Sequence, residues 1–156
     1  MDAEANEDFV DMVRCLGAEG CEFLVVGAYA VAAHGAPRAT GDIDLLVRPS
    51  PDNAARVYRA LLRFGAPVEQ HGVTAHDFEI AGMVYQIGLP PRRIDLLTEI
   101  SGVSFEEAAR ETIVGSLGGV QVPCIGLDAL IRNKRSAGRT KDLADAEVLE
   151  EIRARR

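Results

Sequence analysis

Apolar positions along the chain shift between helical spacing and short continuous runs, and each shift marks an element. Phe9, Met12, Val13 and Leu16 follow the helical rhythm, and Gly17 and Gly20 end that helix. The run EFLVV, Glu22 to Val26, predicts a short buried strand. Gly27 opens a second helix, Ala28 to His34, which Gly35 and Pro37 stop. DIDLLV, Asp42 to Val47, predicts a second strand. Ser50 caps a third helix with Pro51 at its first position, and Ala54, Val57, Tyr58, Leu61 and Leu62 form its apolar stripe.

Beyond it, Gly65 to His76 carries no regular pattern. Strands over Met83 to Leu89 and Arg93 to Thr98 flank Pro90 and Pro91. Ser104 and Glu107 form a capping box for a short helix through Thr112. IVGSLGGVQVPCI predicts a hairpin turning at Gly118 and Gly119. Two helices follow, Leu127 to Ala137 and Lys141 to Arg153, and Leu143, Ala146, Leu149 and Ile152 give the second an inward face. The order α-β-α-β-α-β-β-α-β-β-α-α predicts an α+β (α/β-like) fold, a mixed β-sheet with flanking helices and a C-terminal helical pair. A single domain over residues 1–156 is expected, with its core at about 20–125 and a helical tail at about 126–156.

Composition narrows the classes. With 47% apolar and 26% charged residues, the chain has the make-up of a globular protein. No apolar run approaches the ~20 residues that span a bilayer. The acidic start MDAEANEDFVDMVR lacks the layout of a secretion signal, so a cytoplasmic location is expected. Cys15, Cys21 and Cys124 are odd in number and lack CxxC spacing, which points to neither a disulfide partner nor a zinc site. The net charge of −7 disfavours a protein that coats nucleic acid with its whole surface. Locally, however, Arg132 to Lys141 holds five basic residues and no acid, and the next ten residues hold five acids and no base. That charge pattern fits a solvated, salt-bridged helix pair or a basic wall beside a site.

Chemistry concentrates at the start of the second strand. Residues i and i+2 of a strand face the same way, so Asp42 and Asp44 project together, about 7 Å apart at Cα. Two parallel carboxylates repel unless a cation lies between them, and hard oxygen ligands suit Mg²⁺ or Mn²⁺. Strand ends also favour Asp for turn geometry alone, so the pair by itself leaves both readings open. RRIDLLTEI repeats the pattern of GDIDLLV, which brings in Asp95 if the two strands are neighbours. Three carboxylates can hold two metal ions ~4 Å apart, an arrangement suited to in-line displacement at phosphorus. The strand–Gly27–helix turn could cradle an anion, and the loop HGAPRATG supplies Arg38 and Thr40 for a triphosphate. His34 is read as the helix end, hydrogen-bonded near Gly35, ahead of a catalytic role.

Val26-Gly27-Ala28, thirteen intervening residues, Asp42-Ile43-Asp44 and the downstream Asp95 together resemble the polymerase-β-like nucleotidyltransferase superfamily. The stretch VGAYAVAAHGAPRATGDIDLLV and the tail LDALIRNKRSAGRTKDLADAEVL are similar to small stand-alone bacterial members, the AbiEii-like toxin nucleotidyltransferases. The resemblance covers roughly residues 20 to 150. It implies a nucleotidyltransferase fold and a Mg²⁺- or Mn²⁺-dependent transferase using a nucleoside triphosphate. Asp42, Asp44 and Asp95 would be the catalytic metal ligands, with Asp95 also helping to deprotonate the attacking group. Gly27, Ala28, Arg38, Thr40, Lys134 and Lys141 would bind the nucleotide. The acceptor would be tRNA, a protein hydroxyl or a small molecule, and a toxin would have an antitoxin partner. Ala28 departs from the Ser or Gly of the family pattern and loses a hydroxyl that could bind phosphate. That departure motivates the alternative of a non-catalytic nucleotide-binding or interaction module. For the tail, the alternative is an ion-pair network such as Lys141 with Asp145.

Overall fold

The computed structural model describes residues 6–37 and 39–156, and the backbone of residues 2–3. In chain order the elements are β1 (Asp2–Ala3), α1 (Glu7–Ala18), β2 (Phe23–Val26), α2 (Gly27–Ala33), β3 (Asp42–Val47), α3 (Pro51–Phe64), β4 (Val84–Ile87), β5 (Arg93–Leu97), α4 (Phe105–Ala109), β6 (Thr112–Leu117), β7 (Val120–Ile125), α5 (Leu127–Ala137) and α6 (Thr140–Ala154). The strands form one mixed sheet in the order β1-β6-β7-β2-β3-β5-β4. This is the α+β arrangement of a mixed sheet with flanking helices that the hydrophobic pattern predicts.

The sheet is covered on both faces, which explains why its central strands read as nearly continuous apolar runs. One face packs Phe23, Val25, Ile43, Leu45, Val47, Ile94 and Leu96 against Phe9, Met12, Leu16, Val57 and Leu61 of α1 and α3. The other packs Leu24, Val26 and Leu46 against Ala30, Val31, Leu130, Ile131 and Leu149 of α2, α5 and α6. Strand alternation therefore assigns each side chain of β3. Ile43, Leu45 and Val47 enter the first core. Asp42, Asp44 and Leu46 face α5 and α6.

Caps behave as the sequence predicts. Ser50 accepts the Asn53 N–H at the start of α3, and Ser104 with Glu107 forms the box that starts α4. Two elements escape the hydrophobic pattern. The two-residue β1 pairs in parallel with Ser116 and Leu117 of β6. A 3₁₀ turn at Ala75–Glu79, boxed by Thr74 and Asp77, overlaps the stretch expected to be irregular. All three cysteines are free thiols. Among the described residues, no helix is long and apolar enough to cross a membrane.

Asn53 ties the central strands to α3. Its side-chain oxygen accepts the Glu22 N–H at 2.7 Å, and its amide donates to Glu22 O at 2.9 Å and Arg48 O at 3.1 Å. These residues precede β2 and follow β3, so one buried amide fixes the entry of one strand and the exit of its neighbour. Asn53→Ala would leave those backbone groups unsatisfied and should destabilise the fold by roughly 2–3 kcal/mol. Chemical denaturation of the two proteins checks this, and an unchanged midpoint would contradict the clamp.

Candidate active site

β3 and β5 run parallel, with Asp42 opposite Arg93 and Asp44 opposite Asp95. The repeated Ile-Asp-Leu-Leu run thus becomes two aligned strands. Asp42, Asp44 and Asp95 each offer a carboxylate oxygen within 4.8 Å of the others. Asp95 is 5% exposed, and the other two are half-buried.

β2 lies antiparallel on the other side of β3, with Val26 opposite Asp44. The chain leaves β2 at Gly27, whose φ of +69° suits glycine. A Cβ at this position would overlap Oδ2 of Asp44. Gly27 therefore serves both the turn and the close approach of the backbone to the carboxylate.

The triad opens into a cleft of about 790 Å³. Gly27, Ala28, Thr40, Lys134 and Lys141 line it together with the carboxylates. Arg38 lies outside the described residues. The Thr40 hydroxyl donates to Asp42 Oδ1 at 3.1 Å and so steadies a triad member. The histidine lies elsewhere. His34 caps the end of α2, but its ring bonds Ile125 O at 2.8 Å instead of pairing near Gly35.

The tail builds one wall of the cleft. Lys134, only 5% exposed, lies 3.4 Å from Asp142 Oδ1 and 3.1 Å from Asp145 Oδ2. Arg139 Nε donates to Asp142 Oδ2 at 2.7 Å. Burial pushes the Asp142 carboxyl up, but Arg139 and Lys134 outweigh it and hold the group below its usual range. The i, i+4 pairing of Lys141 with Asp145 is not what forms. The packing of α5 on α6 gives Asp145 to Lys134, while exposed Lys141 faces the cleft.

Sequence reasoning missed Arg93. Its Nη2 donates to Asp42 Oδ2 at 3.0 Å and Asp95 Oδ2 at 3.2 Å, and its Nε donates to Asp95 Oδ1 at 3.0 Å. The available signal was parity, since Arg93 stands two residues before Asp95 and shares its face.

No protein-family model matches the chain, and no curated protein matches it. Solved structures do. One is a Thermotoga maritima protein provisionally assigned as a nucleotidyltransferase, with a TM-score of 0.52 and 11% identity over 98% of this chain and 97% of that one. Another is the antibiotic-resistance factor ANT(2'')-Ia, with a TM-score of 0.52 and 17% identity over 94% of this chain and 88% of that one. The chain has a nucleotidyltransferase-like fold.

Within that fold the donor set fits a hard divalent cation: three carboxylate oxygens, close together, at the edge of an open cleft. Their burial and proximity carry a cost. Burial, then the charges of Asp42 and Asp95, push the Asp44 carboxyl from 3.8 up to about 7, against the lowering effect of Arg93. The folded state thus holds this proton to higher pH than the unfolded chain does. The associated stability is fully present below 3.8 and is lost as pH rises through about 7. In chelator, Asp44→Asn should raise the melting temperature above about pH 7 and change it little at the acid end of that window. Thermal unfolding across the window checks this, and a lower melting temperature for the variant on the alkaline side would contradict it.

Proposed function

We propose that this protein is a metal-dependent nucleotidyltransferase that moves a nucleoside monophosphate from a nucleoside triphosphate to an acceptor. The observation that carries the reading is the convergence of Asp42, Asp44 and Asp95 beside the Gly27 turn in one cleft. Such chemistry asks little covalent participation of a protein. Positioning and charge neutralisation do most of the work.

An acceptor hydroxyl attacks the α-phosphorus and forms the new P–O bond. The α–β phosphoanhydride bond breaks, and pyrophosphate leaves with its electron pair. Asp95 takes the acceptor proton. Asp42, Asp44 and Asp95 would hold Mg²⁺ or Mn²⁺, which supplies Lewis-acid and charge-neutralising chemistry at the phosphates. The backbone N–H groups of Gly27 and Ala28 bind phosphate oxygens. Thr40, Lys134, Lys141 and Arg38 complete the nucleotide site, with Lys141 the most available of the tail cations.

The acceptor is tRNA, a protein hydroxyl or a small molecule. None of the described residues lining the cleft is aromatic, so it offers no stacking platform for splayed bases. That supports a small molecule or a protein over RNA. One structural neighbour being an antibiotic-resistance factor adds support for a small molecule. The AbiEii-like affinity belongs to this proposal too, and a toxin role would bring an antitoxin partner.

Ala28 favours a second reading, a non-catalytic nucleotide-binding or interaction module. It is neither the Ser nor the Gly of the family pattern and cannot offer a phosphate the hydroxyl that Ser would, although its backbone N–H remains. Incubation with each of four α-labelled nucleoside triphosphates, Mg²⁺ or Mn²⁺ and cell extract separates the two. Transfer of label by the wild type, and not by Asp42→Asn/Asp44→Asn, is expected. Nucleotide binding without transfer from any donor would overturn the enzyme reading in favour of the module.

A further inference from the structure

Arg93 does something the metal reading does not account for. It is a cation already seated among the carboxylates proposed as metal ligands. Its guanidinium engages both oxygens of Asp95 and one of Asp42, at 3.0 to 3.2 Å. Among the described residues it is the one cation hydrogen-bonded to the triad. Lys134 and Arg139 are occupied with Asp142 and Asp145.

Three ligand oxygens within 4.8 Å leave a small space. Two guanidinium nitrogens border it, Nη2 at 3.0 Å from Asp42 and Nε at 3.0 Å from Asp95. A divalent ion placed there meets a positive charge at close range, and like charges repel strongly in a partly desolvated site. Both ligands can serve either cation, so the two compete. Arg93 is also free to leave. Its side chain is 31% exposed, against 8% for that of Asp95, and it lines the cleft beside the proposed triphosphate site. A planar, permanently charged fork is well suited to exchange a bidentate carboxylate for phosphate oxygens.

We propose that Arg93 is the resident counter-ion of the carboxylate triad, that the divalent cation displaces it, and that it then binds the triphosphate. This rests on the metal-dependent reading above. The same side chain would hold the acids together in the empty enzyme and contact substrate in the loaded one. It would thereby couple metal entry to nucleotide entry, because a triphosphate gives the displaced guanidinium a new partner.

The test measures binding of Mn²⁺ alone, by electron paramagnetic resonance of the free ion, for the wild type, Arg93→Met, Arg93→Lys and Asp42→Asn/Asp44→Asn. Arg93→Met should bind Mn²⁺ on the order of tenfold more tightly than the wild type, one such step in affinity. Its melting temperature should rise more on adding Mn²⁺. It should bind a non-hydrolysable nucleoside triphosphate with Mn²⁺ more weakly. Arg93→Lys should stay near the wild type in Mn²⁺ affinity. Unchanged or weaker Mn²⁺ binding by Arg93→Met would overturn the counter-ion role. Tighter Mn²⁺ binding with undiminished nucleotide binding would overturn the hand-over to phosphate. If the wild type and Arg93→Met both bind Mn²⁺ no better than the double Asp variant, the metal reading fails and the proposal fails with it. Where Arg93→Met does not fold, Arg93→Gln, uncharged but still an amide donor, replaces it in the same comparison.

Discussion

Three carboxylates held within 4.8 Å of one another repel, and the chain must hold them together against that repulsion. The parallel pairing of β3 with β5 does this most directly, setting Asp44 opposite Asp95. Behind each acid stands an apolar residue of opposite parity. Ile43, Leu45, Ile94 and Leu96 bury into the core under α1 and α3 and hold both strands in register. A slip by one residue would expose that core and bury the acids, so the register of the site and that of the core are one constraint.

Other features follow from the same constraint. Gly27 allows β2 to turn away against Asp44 without a side chain in the way. Thr40 and Arg93 hydrogen-bond the outer carboxylate, Asp42. Asp44, less well compensated, keeps its proton to about pH 7. Across the cleft, the buried Lys134–Asp142–Asp145 cluster fixes α5 to α6. That leaves Lys141 turned toward the opening. The tail's charges are therefore divided between Lys134, which also anchors the wall, and Lys141, which faces the opening.

Much of this was legible in the sequence, for local reasons. The period-two spacing of Asp42 and Asp44 puts both on one face whatever surrounds the strand. The repeated Ile-Asp-Leu-Leu run makes Asp95 a partner as soon as the strands are neighbours. Ser50 and Ser104 announce their helices through their own caps. What was not legible depends on distant partners. Arg93 reaches Asp42 only because the strand register sets them opposite. Asp145 pairs with Lys134 and not with Lys141 because packing of one helix on another outweighs the i, i+4 geometry within one. His34 finds Ile125 O, ninety-one positions away. The turn at Ala75–Glu79 is too short to show a helical period, although Thr74 and Asp77 carry its capping signature.

The most direct test of the central claim is anomalous diffraction from crystals grown with Mn²⁺ and a non-hydrolysable nucleoside triphosphate. The account predicts an anomalous peak among Asp42, Asp44 and Asp95, at about 2 Å from their oxygens. It also predicts triphosphate density at Gly27. An empty triad, with the metal or nucleotide bound elsewhere, would contradict it.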